Sequence, residues 1–168
     1  ARARAPRLLR LGRDPRADLL EPTPDGLPPL EQLKRIRELV DVQLREAYAV
    51  LSHELLPSLK QQGIWVADWK DLDEQTRAHA SEYFRTQVFP VLTPLAVDPG
   101  HPFPYISNLS LNLAVIVRDP DEGARRFARV KVPSLLPRFV VLPDGERYVP
   151  LELVIAAHLD QLFPGMEI

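Results

Sequence analysis

The chain has 168 residues, 45% of them apolar and 26% charged, which is ordinary for a globular protein and enough to bury a real core. Its formal net charge of −2 leaves no global basic field for nucleic acid, and the absence of cysteine excludes disulfides, thiolate zinc sites and cysteine nucleophiles. No apolar run reaches the roughly 20 residues that span a bilayer, and the arginine-rich start lacks the apolar stretch of a secretory signal, so a cytoplasmic protein, peripheral to a membrane at most, is expected.

In chain order, residues 1–16 hold Arg2, Arg4, Arg7, Arg10, Arg13 and Arg16 against the single acid Asp14, which reads as a poorly packed terminus. The stretch from Pro22 to Gly26 is a firm break. Pro28 and Pro29 suit the first positions of a helix, and Leu33, Ile36, Leu39 or Val40, Leu44 and Tyr48 recur at three- and four-residue spacing along it. The pattern runs on through Leu51, Leu55 and Leu59 to Gly63, a helix stop. Pro57 must kink this helix or open a second one. Ile64–Val66 reads as a short strand, and Asp71–Glu74 as the capped start of a helix to about Val88.

Between Phe89 and Ile106 lie prolines 90, 94, 99, 102 and 104 among apolar residues. Proline fixes φ and removes a donor, so this stretch predicts a rigid, buried, irregular crossing rather than helix or central strand. Strand patterns follow at Leu109–Arg118, Arg126–Val132, Phe139–Leu142 and Arg147–Val149, the last two joined through Asp144-Gly145, and a final helix is expected over Leu151–Leu162. Helices first and strands later predict an α+β fold: a long or kinked N-terminal helix, a second helix, a mainly antiparallel sheet and a C-terminal helix.

Most site patterns fail. No glycine precedes a Lys-Ser or Lys-Thr pair and no dinucleotide fingerprint is present. His53-Glu54 opens like a zinc protease motif, but Pro57 stands where the second histidine belongs. Asp119, Asp121 and Glu122 fit a solvated hairpin turn, and Asn108-Leu109-Ser110 is a chance glycosylation match. His53, His79 and His158 fall within helices and read as structural or surface residues. His101, set among prolines, could titrate or donate to phosphate, or pin the crossing through a hydrogen bond.

The basic strand carries more. Arg129 and Lys131 are two apart and share one face, with Arg125 and Arg126 before them and Arg138 after a corner bounded by Pro133 and Pro137. A row of cations suits a linear polyanion. The plain alternative is the solvated face of an antiparallel sheet whose other face, with Phe127, Val130 and Val132, packs inward.

The segments FPVLTPLAVDP (89–99), HPFPYISNLSLNLAV (101–115) and RVKVPSLLPRF (129–139) resemble the middle, or head, domain of bacterial polyphosphate kinases. The resemblance implies that residues 1–26 are a tail or linker from the end of a preceding helical domain and residues 27–168 a head domain truncated at its C-terminus. It implies a parent enzyme that moves the terminal phosphate of ATP reversibly onto inorganic polyphosphate through a phosphohistidine, with Mg2+, and that works as a homo-oligomer with dimer contacts through the head domain. The catalytic histidine and metal ligands of the family lie in domains beyond residue 168, so no catalytic or metal residue carries over. Neither ATP nor Mg2+ is expected on this chain's own residues. Its partners are then the neighbouring domains of the same protein, a second copy and polyphosphate, not nucleic acid, with Arg129, Lys131, Arg138 and His101 as residues of a polyphosphate path. The alternative is a scaffold module that binds no polyphosphate.

Overall fold

A computed structural model describes residues 26–97, 106–121 and 123–168. The chain divides into two compact units, Ala1–Leu55 and Leu56–Ile168. The predicted α+β class is observed.

In the first unit, helix α1 spans Pro29–Val50, with Pro29 at its first position and Glu31 in its first turn, where the positive end of the helix dipole favours an acid. An Arg35–Glu31 pair at 3.0 Å bridges one turn. A π-helical turn, Leu51–Leu55, follows. None of the α1 residues is buried: Leu33, Ile36, Val40, Leu44 and Tyr48, the apolar stripe of the sequence, all stand exposed.

The second unit opens with α2 (Leu56–Gln61). Pro57 lies in its first turn, directly after the π-helical turn and with no non-helical residue between the two. Gly63, at φ +79°, ends α2: its N–H donates to the Lys60 carbonyl at 3.2 Å and that of Ile64 to the Leu59 carbonyl at 2.9 Å. This paired closure needs a left-handed residue, which glycine supplies without strain. Helix α3 (Glu74–Tyr83) is capped by Asp73, whose carboxylate accepts from the Thr76 amide at 2.9 Å and from the Thr76 hydroxyl at 3.0 Å. A π turn (Phe84–Val88) and a 3-10 turn (Phe89–Val91) extend it.

Among the described residues, six strands form two three-stranded sheets. Strands β1 (Trp65–Val66), β6 (Arg147–Pro150) and β5 (Phe139–Val141) lie in the order β1-β6-β5, with β1 parallel to β6 and β5 antiparallel. Strands β2 (Leu95–Val97), β4 (Arg125–Lys131) and β3 (Asn112–Arg118) form an antiparallel sheet in the order β2-β4-β3. The proline-rich run thus contains a strand. Pro94 immediately precedes it, and β2 is an edge strand, the place where a neighbouring proline costs no ladder bond. The described part of the run is also less buried than expected: Phe89 and Val91 on the 3-10 turn and Leu95 on the edge strand are exposed, and Phe84 and Val88 anchor the segment instead. His101 lies outside the described residues.

One core joins these elements. Val115, Val117, Ala128, Val130 and Val132 face it from the β2-β4-β3 sheet, Val140, Leu142 and Val149 from the other, and Ala80, Phe84, Val88, Leu151, Val154 and Ile155 from the helices. The inward row of β4 is therefore Ala128, Val130 and Val132. Phe127 belongs to the opposite face with Arg129 and Lys131, which corrects its inward assignment: odd and even residues of a strand cannot share a face.

The expected final helix is broken into α4 (Leu151–Ala156) and α5 (Leu159–Leu162) by His158, at φ −126° and ψ 26°. That ring is 5% exposed. Its Nδ1 donates to the Val154 carbonyl at 2.7 Å, because a carbonyl can only accept, and Nε2 lies 2.9 Å from Ser81 Oγ. It stacks on Phe84 at 4.4 Å between centroids and meets Trp69 edge-on at 5.2 Å. His158→Ala loses two hydrogen bonds and opens a hole between α3 and α4, so urea unfolding should show a loss of about 2–4 kcal/mol. Ser81→Ala should cost about 1 kcal/mol. Equal stability of His158→Ala and the parent chain would contradict this account.

A surface network ties α3 to β6. Arg147 Nη1 reaches Asp73 Oδ2 at 3.2 Å and its Nε pairs with Asp144. The Thr76 amide and hydroxyl, then Arg147, hold the Asp73 carboxyl below the usual carboxylate range. The Arg147 amide and guanidinium do the same for Asp144, and Asp144 in turn raises the Arg147 guanidinium. The unfolded chain then binds more protons than the native one near these values, so the contribution is complete above the unfolded carboxylate range and is lost as pH falls through the lowered native values. The double variant Asp73→Asn, Asp144→Asn keeps acceptors at both positions. Its urea midpoint should fall less steeply than the parent's from about pH 5 to about pH 3, and equal slopes would contradict the assignment.

Candidate functional site

The outward face of the β2-β4-β3 sheet is set by register. Arg129 lies between Leu95 and Ala114, Phe127 pairs with Ile116, Lys131 with Asn112, and Arg125 with Arg118. Cations thus stand at Arg125, Arg129 and Lys131, every second residue apart from Phe127, about 7 Å from one to the next position of the row. Leu95 and Ile116 are exposed beside them. Arg118 is held by Glu167 at 3.1 Å.

Lys131 sits where this row ends and a cavity of about 310 Å³ begins. Ser107, Asn108 and Ser110 line one side of it, Lys131, Ser134 and Arg138 the other, and among the described residues no carboxylate lines it. The structure thus brings Lys131 and Arg138 to one cavity and puts Arg129 on the face beside it.

Local hydrogen bonds hold the Ser107–Ser110 wall. Ser110 Oγ donates to the Ser107 carbonyl at 2.6 Å, and Asn112 Nδ2 donates to the Ser110 carbonyl and to Ser110 Oγ, both at 3.0 Å. Asn108 Oδ1 accepts from the Leu109 amide at 3.0 Å. Leu109 is held at φ +57° with its side chain in solvent, a conformation that costs a leucine on the order of 1–2 kcal/mol. On the other wall, Arg138 Nη2 is fixed by Glu152 Oε1 at 2.9 Å, and the Arg138 carbonyl accepts from the Leu151 amide at the start of α4. A second hollow of about 210 Å³, with Val91, Thr93, Leu135 and Leu136, shares Lys131, Pro133 and Ser134 with the first.

Such an arrangement attracts and orients an anion. It offers an ammonium, a guanidinium, hydroxyls and an amide, and no nucleophile with an adjacent base. Among the described residues no group of three or more His, Cys, Asp or Glu gathers into a metal-ligand set. His53 bonds its own helix through Nδ1 to the Ala49 carbonyl at 3.2 Å, His79 is exposed on α3, and His158 is committed to the core. Sequence reasoning missed Ser107, Asn108, Ser110 and Ser134. The cluster of small polar residues after the prolines signals a turn, but the return of that turn to Lys131 is a tertiary fact.

The residues 75–168 match the family model described as the polyphosphate kinase middle domain. Over 158 residues the chain is 49% identical to the polyphosphate kinase of Thermosynechococcus vestitus, covering 89% of this chain and 22% of that protein. Over 154 residues it is 53% identical to the polyphosphate kinase of Mycobacterium ulcerans, covering 86% and 21%. The crystal structure of polyphosphate kinase from Porphyromonas gingivalis superposes with a TM-score of 0.72 at 31% identity, over 82% of this chain and 24% of that one. The chain therefore spans about a fifth of the length of these relatives. Family model, sequence and fold agree: the chain belongs to the polyphosphate kinase family, and what it carries of that family is the middle domain.

Proposed function

We infer that this chain contributes binding rather than bond-making to an enzyme that transfers phosphate reversibly between ATP and inorganic polyphosphate. Residues 1–26 end a preceding helical domain and 27–168 form the head domain of that enzyme, which works in the cytoplasm or at the membrane surface. Its ATP, its Mg2+ and its phosphorylated histidine belong to other domains. The described residues supply no ligand set for the ion. The head domain offers polyphosphate a path along Arg129, Lys131 and Arg138, with His101 assigned to it on sequence alone. One observation carries this reading: two of these cations line a single cavity that, among the described residues, no carboxylate lines, at the end of a row of outward cations.

Binding of this kind is electrostatic, so it should be salt-sensitive and should weaken when the row is neutralised. In calorimetric titration, Arg129→Gln, Lys131→Met, Arg138→Gln should bind long-chain polyphosphate at least about tenfold more weakly, with a shallower salt dependence. Unchanged affinity in a variant that melts like the parent would end the polymer-path reading.

A second reading, a scaffold that serves only oligomerisation, is favoured by the uncovered apolar stripe of α1. It and the first reading both place a dimer contact in the head domain. Sedimentation at about 100 μM should then show a dimer that Ile36→Glu, Leu44→Glu converts to monomer. A monomeric parent chain would remove the contact from both readings.

A further inference from the structure

Linear polyphosphate presents two chemically different targets. An internal phosphate has two non-bridging oxygens and one charge, whereas a terminal phosphate has three non-bridging oxygens and a second ionisation near neutrality. The two halves of the candidate site differ in the same way. Along β4 the cations stand in a line on the outward sheet face, Arg125 exposed and Arg129 and Lys131 half-buried, an arrangement that follows a polymer and favours none of its units. At Lys131 the geometry changes from a line to a hollow. Donors come from two facing segments: the Lys131 ammonium, the Arg138 guanidinium and the Ser134 hydroxyl from one side, Ser107 and Asn108 from the other.

On one side two lining segments are joined, while across Lys131, Pro133 and Ser134 the hollow adjoins the second, smaller one. Leu111 and Val132 both line the larger hollow, and the Val132 amide donates to the Leu111 carbonyl at 3.0 Å, so its walls are joined there by a backbone bond. A chain entering from the sheet face has no passage between those two segments. Arg138 is held in place before any ligand arrives, because Glu152 fixes one of its guanidinium nitrogens at 2.9 Å and leaves the others to donate. Among the described residues the lining carries no carboxylate to repel a doubly charged group.

Resting on the polyphosphate reading above, we propose that this hollow captures the terminal phosphate of a polyphosphate chain, while the β4 row contacts the internal phosphates next to it. The head domain then binds chain ends, and its sites are counted by ends rather than by phosphate units. Tripolyphosphate contains the captured end and the one internal phosphate beside it.

Titration of the 168-residue chain with three probes tests this: tripolyphosphate, long-chain polyphosphate, and the same long chain with both terminal phosphates esterified. End capture predicts that tripolyphosphate binds within about threefold of the long chain per molecule, and that esterification weakens the long chain at least about tenfold. Lys131→Met should abolish the difference between free and esterified ends. If affinity per molecule instead grows in proportion to length and esterification changes nothing, end capture is wrong and the path along the row stands alone. If none of the three probes binds, the polyphosphate reading itself falls.

Discussion

Strand β4 is paired on both sides, to β2 and to β3, and each of its side chains is thereby committed to one face. Ala128, Val130 and Val132 fill the core while Arg129 and Lys131 stand outside. A slip of one residue would drive both cations into an apolar interior and bring two valines to the surface, at a cost of several kcal/mol for each buried, unpaired charge. The same alternation that drives the sheet to pack therefore sets the line of charge. Core and candidate site are two readings of one register, which is why the charged face needs no scaffold of its own.

Much of this was legible in single residues, because their signals act locally. Pro29 begins α1, Gly63 ends α2 and Asp73 caps α3, each by a constraint that operates within four residues. What escaped depends on partners distant in sequence. Strand β2 is hidden among prolines because only its edge position makes it tolerable. The break at His158 is invisible in an apolar pattern that continues through it; the ring is drawn out of helical geometry by Ser81 and the aromatic rings of Phe84 and Trp69. Likewise the meeting of Ser107–Ser110 with Lys131 and Arg138 follows from the β3–β4 pairing and from the turn of the chain after Val132. Phe127 is a different case. Its apolar character argued for the core, but strand parity overrules composition wherever a ladder is continuous on both sides.

The first unit poses the opposite balance. A 22-residue helix whose apolar stripe remains uncovered gains little from burial within its own unit, and in proteins most helical stability comes from packing such a stripe. Propensity, the Arg35–Glu31 pair and the proline start contribute tenths of a kcal/mol each. Stable order in α1 therefore calls for a surface that covers Leu33, Ile36, Val40 and Leu44, whichever chain or segment provides it.

The two tryptophans have unlike neighbours. The ammonium of Lys60 lies 3.8 Å from the centroid of the Trp65 ring, at the exposed end of α2, whereas Trp69 meets the buried imidazole of His158 edge-on. Their fluorescence is thus divided between a boundary and a core. Emission from the first reports how α2 ends, and emission from the second reports whether α3 and α4 are still joined, so that each single-tryptophan variant would follow a different stage of unfolding without any added label.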